Sequence, residues 1–225
     1  MDFLRSARKV TTLSRRTNPR EAASSKALLN TLHGAAVLGR RVRVLSRLLA
    51  QYLPDSARVL DVGTGDGSIA AEIKRLRPDV TILGVDVLLR PSTQIPVVLF
   101  DGAHLPLEDA SVDVVTFVDV LHHTQNPLGL LQEAARVTRR HVLIKDHLKT
   151  GILAYATLRA MDWVGNYGHG VALPYNYLSL DEWGRSFRDA KLRPEAWLEK
   201  LHLYPFPAGM IFDRRLHFLA RLARE

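Results

Sequence analysis

The stretch Val59–Ala70, which reads VLDVGTGDGSIA, constrains the fold of this chain more than any other. An apolar run ends in three glycines at alternate positions, Gly63, Gly65 and Gly67, and a helical pattern follows at once. Glycine tolerates the backbone angles of a tight turn and lets a ligand approach the main chain. The first amides of the following helix have no partner within the helix and are free to donate. The stretch therefore predicts a strand, a ligand-binding turn and a helix.

The spacing of these glycines disfavours the two common phosphate-binding turns. A dinucleotide fingerprint is G-x-G-x-x-G/A, and here the third glycine comes one residue early, with Ser68 in its expected place. A P-loop requires Gly-Lys-Ser/Thr, and the turn contains no lysine. Asp66 also places a negative charge where a pyrophosphate would lie. The turn suits a ligand that carries positive charge and no phosphate.

Short apolar runs alternate with helical patterns from residue 57 onward. The pattern predicts strands at Arg58–Val62, Thr81–Val85, Val97–Phe100, Val112–Val118 and His141–Lys145, and helices at Ser68–Leu76 and Pro127–Val137. Such alternation indicates an α/β fold with a doubly wound, largely parallel sheet. A capping box at Ser179–Glu182 predicts a helix through about Ala190. Residues 195–203 and 215–222 form the last predicted elements, and we expect the second to be an antiparallel strand.

Positive charge is concentrated at the start of the chain. Residues 1–50 hold eleven Lys and Arg side chains against two acids, whereas the other 175 residues hold 20 against 21, so this segment accounts for the net charge of +8. We expect a basic mobile arm at 1–25, a helical segment at 26–56 that Gly34 and Gly39 divide, and one domain at 57–225. An insertion is expected at about 151–178, after the fifth strand.

The basic segment leaves several partners open. A membrane surface, a nucleic acid or an acidic protein would each suit it, and so would plain exposure to solvent as a basic helix. No apolar run approaches the ~20 residues of a membrane span. We expect a cytoplasmic protein with optional peripheral membrane contact. A mitochondrial leader is a minority alternative, because residues 3–20 are rich in Arg, Ser and Thr and lack acids.

Acidic residues follow the ends of the second, third and fourth predicted strands. Asp86 lies 23 residues after Gly63, where a carboxylate can accept from both hydroxyls of a ribose. Asp101 can accept from an adenine amino group, while a following backbone amide donates to a ring nitrogen. Asp119 is followed by Leu121 and a pair of histidines.

Four segments in this order resemble the class I S-adenosylmethionine (SAM)-dependent methyltransferases. They are VLDVGTGDG, GVDV, FDGAHLPLEDASVDVVTFVDVLHH and HVLIKDH, within about residues 57–147. The resemblance is nearest to the small-molecule branch that includes ubiquinone- and menaquinone-biosynthesis enzymes. It implies a Rossmann-like, seven-stranded, mostly parallel sheet with an antiparallel last strand, and SAM as the cofactor of the domain at 57–225.

The resemblance also implies roles for individual residues. The methionine portion would be contacted by Asp61, Gly63, Thr64, Gly65 and Gly67, and the ribose by Asp86. The adenine would be contacted by Val87, Asp101, Gly102 and Ala103. The methyl-donor side would be lined by Asp119 and Leu121. SAM carries a sulfonium cation and no phosphate, which agrees with acids at Asp61 and Asp66.

Candidate catalytic groups follow the fourth and fifth strands. Methyl transfer requires alignment of the acceptor, and an acceptor oxygen or nitrogen can also need a base. His122 or His123 can serve as that base, and Asp146 and His147 can pair as orienter and base. Packing, helix capping or substrate binding are the alternatives for each. No metal site is expected, because the Asp and His residues show no ligand spacing.

The sequence favours a methyltransferase that acts on a small, hydrophobic or aromatic molecule. Aromatic residues of the insertion suit such an acceptor: Tyr155, Trp163, Tyr167, His169, Tyr175 and Tyr177. An RNA methyltransferase that uses the basic segment is an alternative, although the N/D-P-P-Y/F tetrapeptide and any cysteine are missing. An NAD-linked oxidoreductase is disfavoured by the lack of Tyr-x-x-x-Lys. A catalytically silent SAM-binding protein is the remaining alternative. The acceptor atom and the oligomeric state stay open.

Overall fold

The computed structural model describes residues 38–166 and 174–225, without the side chains of 164–166. Predictions for the basic arm, for Gly34, and for Tyr167 and His169 therefore lie outside the described residues. Among the described helices, none is long and apolar enough to cross a membrane.

Within the described ranges, seven strands form one sheet. They are β1 (Arg58–Val62), β2 (Thr81–Asp86), β3 (Val97–Leu99), β4 (Val112–Val118), β5 (Thr138–His147), β6 (Leu192–Leu198) and β7 (His217–Arg224). Their order is β3-β2-β1-β4-β5-β7-β6. Strands β1 to β5 pair in parallel, and β7 runs antiparallel to both β5 and β6. The predicted seven-stranded, mostly parallel sheet with an antiparallel last strand is confirmed.

Six helices of the described residues accompany the sheet. They are α1 (residues 38–52), α2 (Ser68–Leu76), α3 (Pro127–Val137), α4 (Ala154–Asn166), α5 (Leu180–Asp189) and α6 (Gly209–Phe212), with a 3₁₀ turn at Leu121–His123. The bounds of β1, β4, α2 and α3 are those predicted. Gly39 lies inside α1, so the expected division of the N-terminal helical segment does not occur at this glycine.

Strand β5 is the main difference from the predicted elements. It extends from Thr138 to His147, whereas the sequence predicted His141–Lys145. The ladder with β7 continues through the pairs Asp146↔Phe218 and His147↔His217. Both polar residues are buried, and polar partners satisfy them, so the strand continues past the apolar run that predicted it. The element expected at 195–203 is β6, which ends five residues earlier, at Leu198.

Apolar side chains cover both faces of the sheet. On one face, residues of β4 and β5 such as Phe117 and Ile144 pack with Leu131 of α3 and Trp183 of α5. On the other face, Val114, Leu143, Leu45, Leu49 and Ile73 bring together β4, β5, α1 and α2. Burial of each such side chain stabilises the fold by about 1.5–3 kcal/mol. The sheet is therefore a buried central layer, and only its edges and strand ends can hold a site.

Helix α5 is fixed at its start by the capping box that the sequence predicted. The Ser179 hydroxyl accepts from the Glu182 amide, and the Glu182 carboxylate accepts from the Ser179 amide at 2.7 Å. One turn later, the Trp183 indole donates to the carbonyl of His147 at 3.1 Å. The cap thus sets the register of a helix that packs directly behind the end of β5.

Replacing Ser179 with alanine should destabilise the protein by about 0.5–2 kcal/mol, because the first amides of α5 lose their acceptor. Urea denaturation measures the change in the free energy of unfolding. Ser186→Ala is the matched control on the same helix, since the Ser186 hydroxyl only donates back to the Glu182 carbonyl at 3.0 Å. Equal effects of the two substitutions would contradict a specific role for the cap.

Candidate active site

The predicted site residues lie along one edge of the sheet, where the parallel strands β1 to β5 end. The order of the strands reverses between β1 and β4, and ligands of open α/β sheets bind at such a switch point. Strand β7 is antiparallel, so its first residue, His217, lies at the same edge beside His147. The edge has two parts: the ends of β1 to β3, and the ends of β4 and β5 with the start of β7.

The turn after β1 contains the three glycines, which all have positive φ angles of 69°, 62° and 78°. At Gly67 a Cβ atom would lie 2.8 Å from Ile95 Cγ1, so close packing requires the glycine. At Gly65 a Cβ atom would meet no heavy atom of the described residues within 4 Å. The main chain at Gly65 is therefore open to a ligand.

Asp61 holds this turn in place through hydrogen bonds. Its carboxylate is buried and accepts from the hydroxyls of Thr64 and Thr116, each at 2.6 Å. Burial raises the pKa of Asp61, and the two hydroxyl groups oppose that rise. Thr116 belongs to β4, so the carboxylate ties the glycine turn to the next strand across the switch point.

Asp86 joins the end of β2 to the same turn. One carboxylate oxygen accepts from the Gly65 amide at 2.8 Å, and the other accepts from the Leu88 amide at 2.9 Å. A carboxylate oxygen can accept more than one hydrogen bond, so both oxygens keep acceptor capacity for a diol. The predicted ribose contact fits this position beside the open main chain of Gly65.

The end of β3 offers a mixed surface to the predicted adenine. The Asp101 carboxylate accepts from the amides of Ala103 and His104, both at 2.7 Å, and faces the His104 ring at 2.9 Å. These bonds lower the pKa of Asp101. The Ala103 amide is thus engaged within its own turn, rather than free for a ring nitrogen. Val87 and Leu99 are 59% and 56% exposed, which leaves apolar surface for a planar ring.

A group of polar side chains, most of them buried, lies at the other part of the edge. It contains Arg41, Asp119, His122, His123, Lys145, Asp146, His147, Asp162, Tyr177 and His217, and we refer to it as the polar cluster. Six elements supply it: α1, the β4 end with its 3₁₀ turn, β5, α4, the segment before α5, and β7. The four predicted catalytic residues all belong to it.

Asp119 and Lys145 form the ion pair of the polar cluster. Asp119 accepts from the Lys145 ammonium and from the Arg41 guanidinium, and its φ angle is +57°. Burial alone would raise the pKa of Asp119, but the attraction of Lys145 and Arg41 outweighs it and holds that pKa well below its usual range. Lys145 is 1% exposed, so its charge depends on this partner.

His122 and Asp146 form a second buried pair. The His122 Nδ1 atom lies 2.5 Å from one Asp146 oxygen, and the other oxygen accepts from the Leu121 amide at 2.9 Å. Burial lowers the pKa of His122, but Asp146 and Asp162 outweigh it and raise that pKa to about 10. With these partners His122 is protonated at neutral pH, so it can donate a proton but cannot accept one.

His147 and Asp162 connect β5 with the insertion. The Nε2 atom of His147 lies 3.2 Å from Asp162, and its Nδ1 atom lies 3.1 Å from Nδ1 of His217. The Tyr177 hydroxyl donates to the same Asp162 carboxylate. Burial lowers the pKa of His147, so its ring is neutral at neutral pH. The described part of the predicted covering insertion therefore reaches the strand ends through Asp162 and Tyr177.

His123 differs from the other histidines of the polar cluster in its exposure. His122, His147 and His217 are buried, whereas His123 is half-buried, with its ring centroid 3.9 Å from that of His122. Burial, followed by the neighbouring His122, lowers the pKa of His123 to about 4. Its imidazole is neutral at neutral pH and is the most exposed of the four in the polar cluster.

Several members of the polar cluster were not among the predicted site residues. Arg41 is one of several arginines in α1, and no motif sets it apart from the others. Asp162 and His217 follow the fifth strand by 15 and 70 residues. The sequence could have predicted an acidic partner for Lys145, because a lysine inside the apolar run HVLIKDH must be paired when the strand is buried.

Comparisons of the sequence give one family and a curated relative. The model of a family described as "Methyltransferase domain" matches residues 36–196. The 27-O-demethylrifamycin SV methyltransferase of Amycolatopsis mediterranei (strain S699) is 29% identical over 180 residues, which are 72% of this chain. The match covers 64% of that relative, so the chain spans less than two thirds of the relative's length.

Solved structures share the fold. A chain from the complex between the Haloferax volcanii Trm112 methyltransferase activator and a methyltransferase has a TM-score of 0.64, 17% identity, and coverage of 84% of this chain and 93% of that one. A SAM-dependent methyltransferase from Aquifex aeolicus has a TM-score of 0.56, 18% identity, and coverage of 80% and 89%. At these identities the likeness concerns the arrangement of strands and helices.

Replacing Lys145 with methionine should destabilise the protein by about 3–5 kcal/mol, because the partly buried Asp119 loses one of its two cations. Chemical denaturation measures the loss, and adding Asp119→Asn should restore part of it. Lys149→Met is the matched control, since Lys149 lies 3.5 Å from Glu182 in an exposed pair, where the change should stay within about 1 kcal/mol. A Lys145 variant as stable as the control would contradict the buried pairing.

Proposed function

We propose that this chain, which belongs to the methyltransferase domain family, uses SAM as its cofactor and methylates an oxygen atom of a small, hydrophobic or aromatic molecule. The observation that carries this proposal is the polar cluster, which borders the predicted methyl-donor side at Asp119 and Leu121. Aromatic side chains of the insertion lie against it. The polar cluster can bind the polar atom that is methylated, and the aromatic side chains can pack against the apolar part of the same molecule.

The first part of the edge fits the cofactor. When bound, SAM supplies an electrophilic methyl group on a positively charged sulfur. The chain offers open main chain at Gly65, an acceptor for the ribose at Asp86, and apolar surface at Val87 and Leu99. Asp66 adds negative charge to a turn that contains no lysine or arginine. These groups suit a cationic nucleoside better than a pyrophosphate.

Aromatic side chains support an apolar acceptor. The Tyr177 ring stacks on His122 with a centroid distance of 5.7 Å, and it lies 5.9 Å from Tyr155 and 6.2 Å from Tyr175. Tyr155 is 45% exposed, so this aromatic group extends from the buried polar cluster to the surface. An aromatic molecule can stack along it and direct one polar atom inward.

The charges of the polar cluster favour oxygen as that polar atom. A hydroxyl group becomes a better nucleophile as it loses its proton, and Arg41 and Lys145 lie where they can stabilise the resulting negative charge. A half-buried imidazole at His123 can receive the proton. The A. mediterranei relative is named for methylation at an oxygen of a small molecule, which agrees with this choice.

Replacing Asp86 with alanine should weaken SAM binding by about 1–3 kcal/mol, because charged hydrogen bonds to the ribose are lost. Isothermal titration calorimetry with SAM measures the change. Asp113→Ala is the matched control: Asp113 accepts from the Arg58 amide at 2.9 Å, at the opposite end of β1. Equal affinity in wild type and the Asp86 variant would show that the ribose lies elsewhere.

The acceptor itself can be found by methyl labelling. Incubation with SAM carrying a deuterated methyl group and a panel of hydroxylated aromatic molecules should give products that gain one labelled methyl, and fragmentation should place it on oxygen. Label found only on nitrogen or carbon, or only on added RNA, would contradict the proposal.

With an acceptor in hand, His123→Gln should lower kcat by about 10²–10⁴-fold and leave SAM affinity unchanged, because the substitution removes a proton acceptor that lies outside the cofactor's part of the edge. Steady-state kinetics and calorimetry separate the two effects. An unchanged kcat would mean that another group takes the proton, or that none is needed.

A further inference from the structure

We propose that the polar cluster binds one divalent transition-metal ion, with His122 Nε2, His147 Nε2 and the Asp162 carboxylate as its ligands. The sequence predicted no metal site, because these residues lie on the 3₁₀ turn, β5 and α4 without a recognisable spacing. The fold brings them together at one end of the sheet. Imidazole nitrogen and carboxylate oxygen are the donors that zinc, iron and related ions take in proteins.

Two of the three distances between ligand atoms, each to a different oxygen of Asp162, fit a single ion. His122 Nε2 lies 3.3 Å from one Asp162 oxygen, and His147 Nε2 lies 3.2 Å from the other. Ligands that lie 2.0–2.2 Å from an ion at tetrahedral angles are about 3.4 Å apart. The donor atoms of Asp119, His122 and His147 all lie within 4.8 Å of one another, and so do those of His122, His123 and Asp162.

The Nε2 atom of His122 points independently to a ligand. His122 is 1% exposed, and among the described residues this nitrogen has no partner with hydrogen-bond geometry, although the Asp162 oxygen lies 3.3 Å away. A buried polar atom without a hydrogen bond is costly to the folded state. An ion between the two groups would give the nitrogen a partner, with the Asp162 carboxylate as a second ligand.

Outer partners hold both imidazoles in the orientation that a metal requires. The Nδ1 atom of His122 faces Asp146 at 2.5 Å, and Nδ1 of His147 faces His217 at 3.1 Å. Metal-bound histidines almost always engage their second nitrogen in this way, often with a carboxylate. In both residues Nε2 is therefore the atom that is turned toward Asp162.

The charge of the polar cluster also favours a cation. It contains three carboxylates, those of Asp119, Asp146 and Asp162, against the two permanent cations Arg41 and Lys145. The protonated His122 balances the one negative charge that Arg41 and Lys145 leave over, and a metal ion bound at His122 Nε2 would replace that proton. Asp119 is occupied by Lys145 and Arg41 and lies 3.9 Å from His147 Nε2, so we place it next to the ion rather than among its three main ligands.

Three protein ligands leave one position open, as in metal sites that take part in catalysis. Under the proposed function, that position would hold the acceptor oxygen and lower its proton affinity. This consequence depends on the proposed function, whereas metal binding does not. The experiment therefore reads binding first and methyl transfer separately.

The test uses the full chain, stripped with a chelator, and Co²⁺ as the probe. We expect one equivalent of Co²⁺ to produce the visible d–d bands of a four- or five-coordinate ion, and Zn²⁺ to abolish them by competition. Asp162→Asn and His147→Asn should each weaken Co²⁺ binding by more than 100-fold. Asp146→Asn, which changes an outer partner, should weaken it by about 10–100-fold.

His202→Asn is the matched control, because His202 is exposed and its φ of 52° is tolerated by asparagine. This variant should bind Co²⁺ as the wild type does. If the cluster variants do not fold, thermal unfolding of the wild type decides: stoichiometric Zn²⁺ should raise Tm above that of the chelated protein.

Absent d–d bands, bands that persist in the Asp162 and His147 variants, or an unchanged Tm would each overturn the metal site. Metal binding without any O-methylated product would leave the site standing and refute the proposed function instead.

Discussion

Charged side chains that are buried at the end of a sheet must be paired, and the pairing of Lys145 with Asp119 is the interaction on which the rest of this edge depends. Lys145 projects from β5 and Asp119 follows β4, so the pair joins adjacent strand ends. Arg41 brings α1 to the same carboxylate. Because an unpaired buried charge would cost several kcal/mol, the ends of β4 and β5 and the Arg41 turn of α1 must lie close together.

The switch point between β1 and β4 separates two parts of the edge that differ in their polar interactions. On the β1 to β3 side, Asp61 and Asp86 accept hydrogen bonds from hydroxyls and amides. These bonds hold a turn whose main chain is open at Gly65. On the β4 to β7 side, carboxylates, imidazoles and cations bind one another. Under the proposed function, a cofactor that brings positive charge to the first side would lie next to groups that can hold and deprotonate a second molecule. This adjacency is what methyl transfer requires.

Local pattern was enough to predict the sheet and the glycine turn after β1, while the cofactor contacts of Asp86 and Asp101 stay predictions. The apolar runs of β1 and β4 and the capping box at Ser179 act within a few residues, and their elements appear at or near the predicted bounds. The polar cluster depends instead on long-range packing. Nothing near Asp162 or His217 in the sequence indicates that both meet His147, since that contact arises from the antiparallel β7 and from the insertion before it. Because Asp146 and His147 are polar, the sequence predicted that β5 ends at Lys145, two residues before its observed end.

A crystal structure with the demethylated cofactor S-adenosylhomocysteine tests the central claim most directly. The account predicts the ribose hydroxyls on Asp86, the adenine between Val87 and Asp101, the amino acid portion over Gly65, and the sulfur facing the polar cluster at Asp119. A nucleoside bound at another edge of the sheet, or a sulfur directed away from the polar cluster, would contradict it.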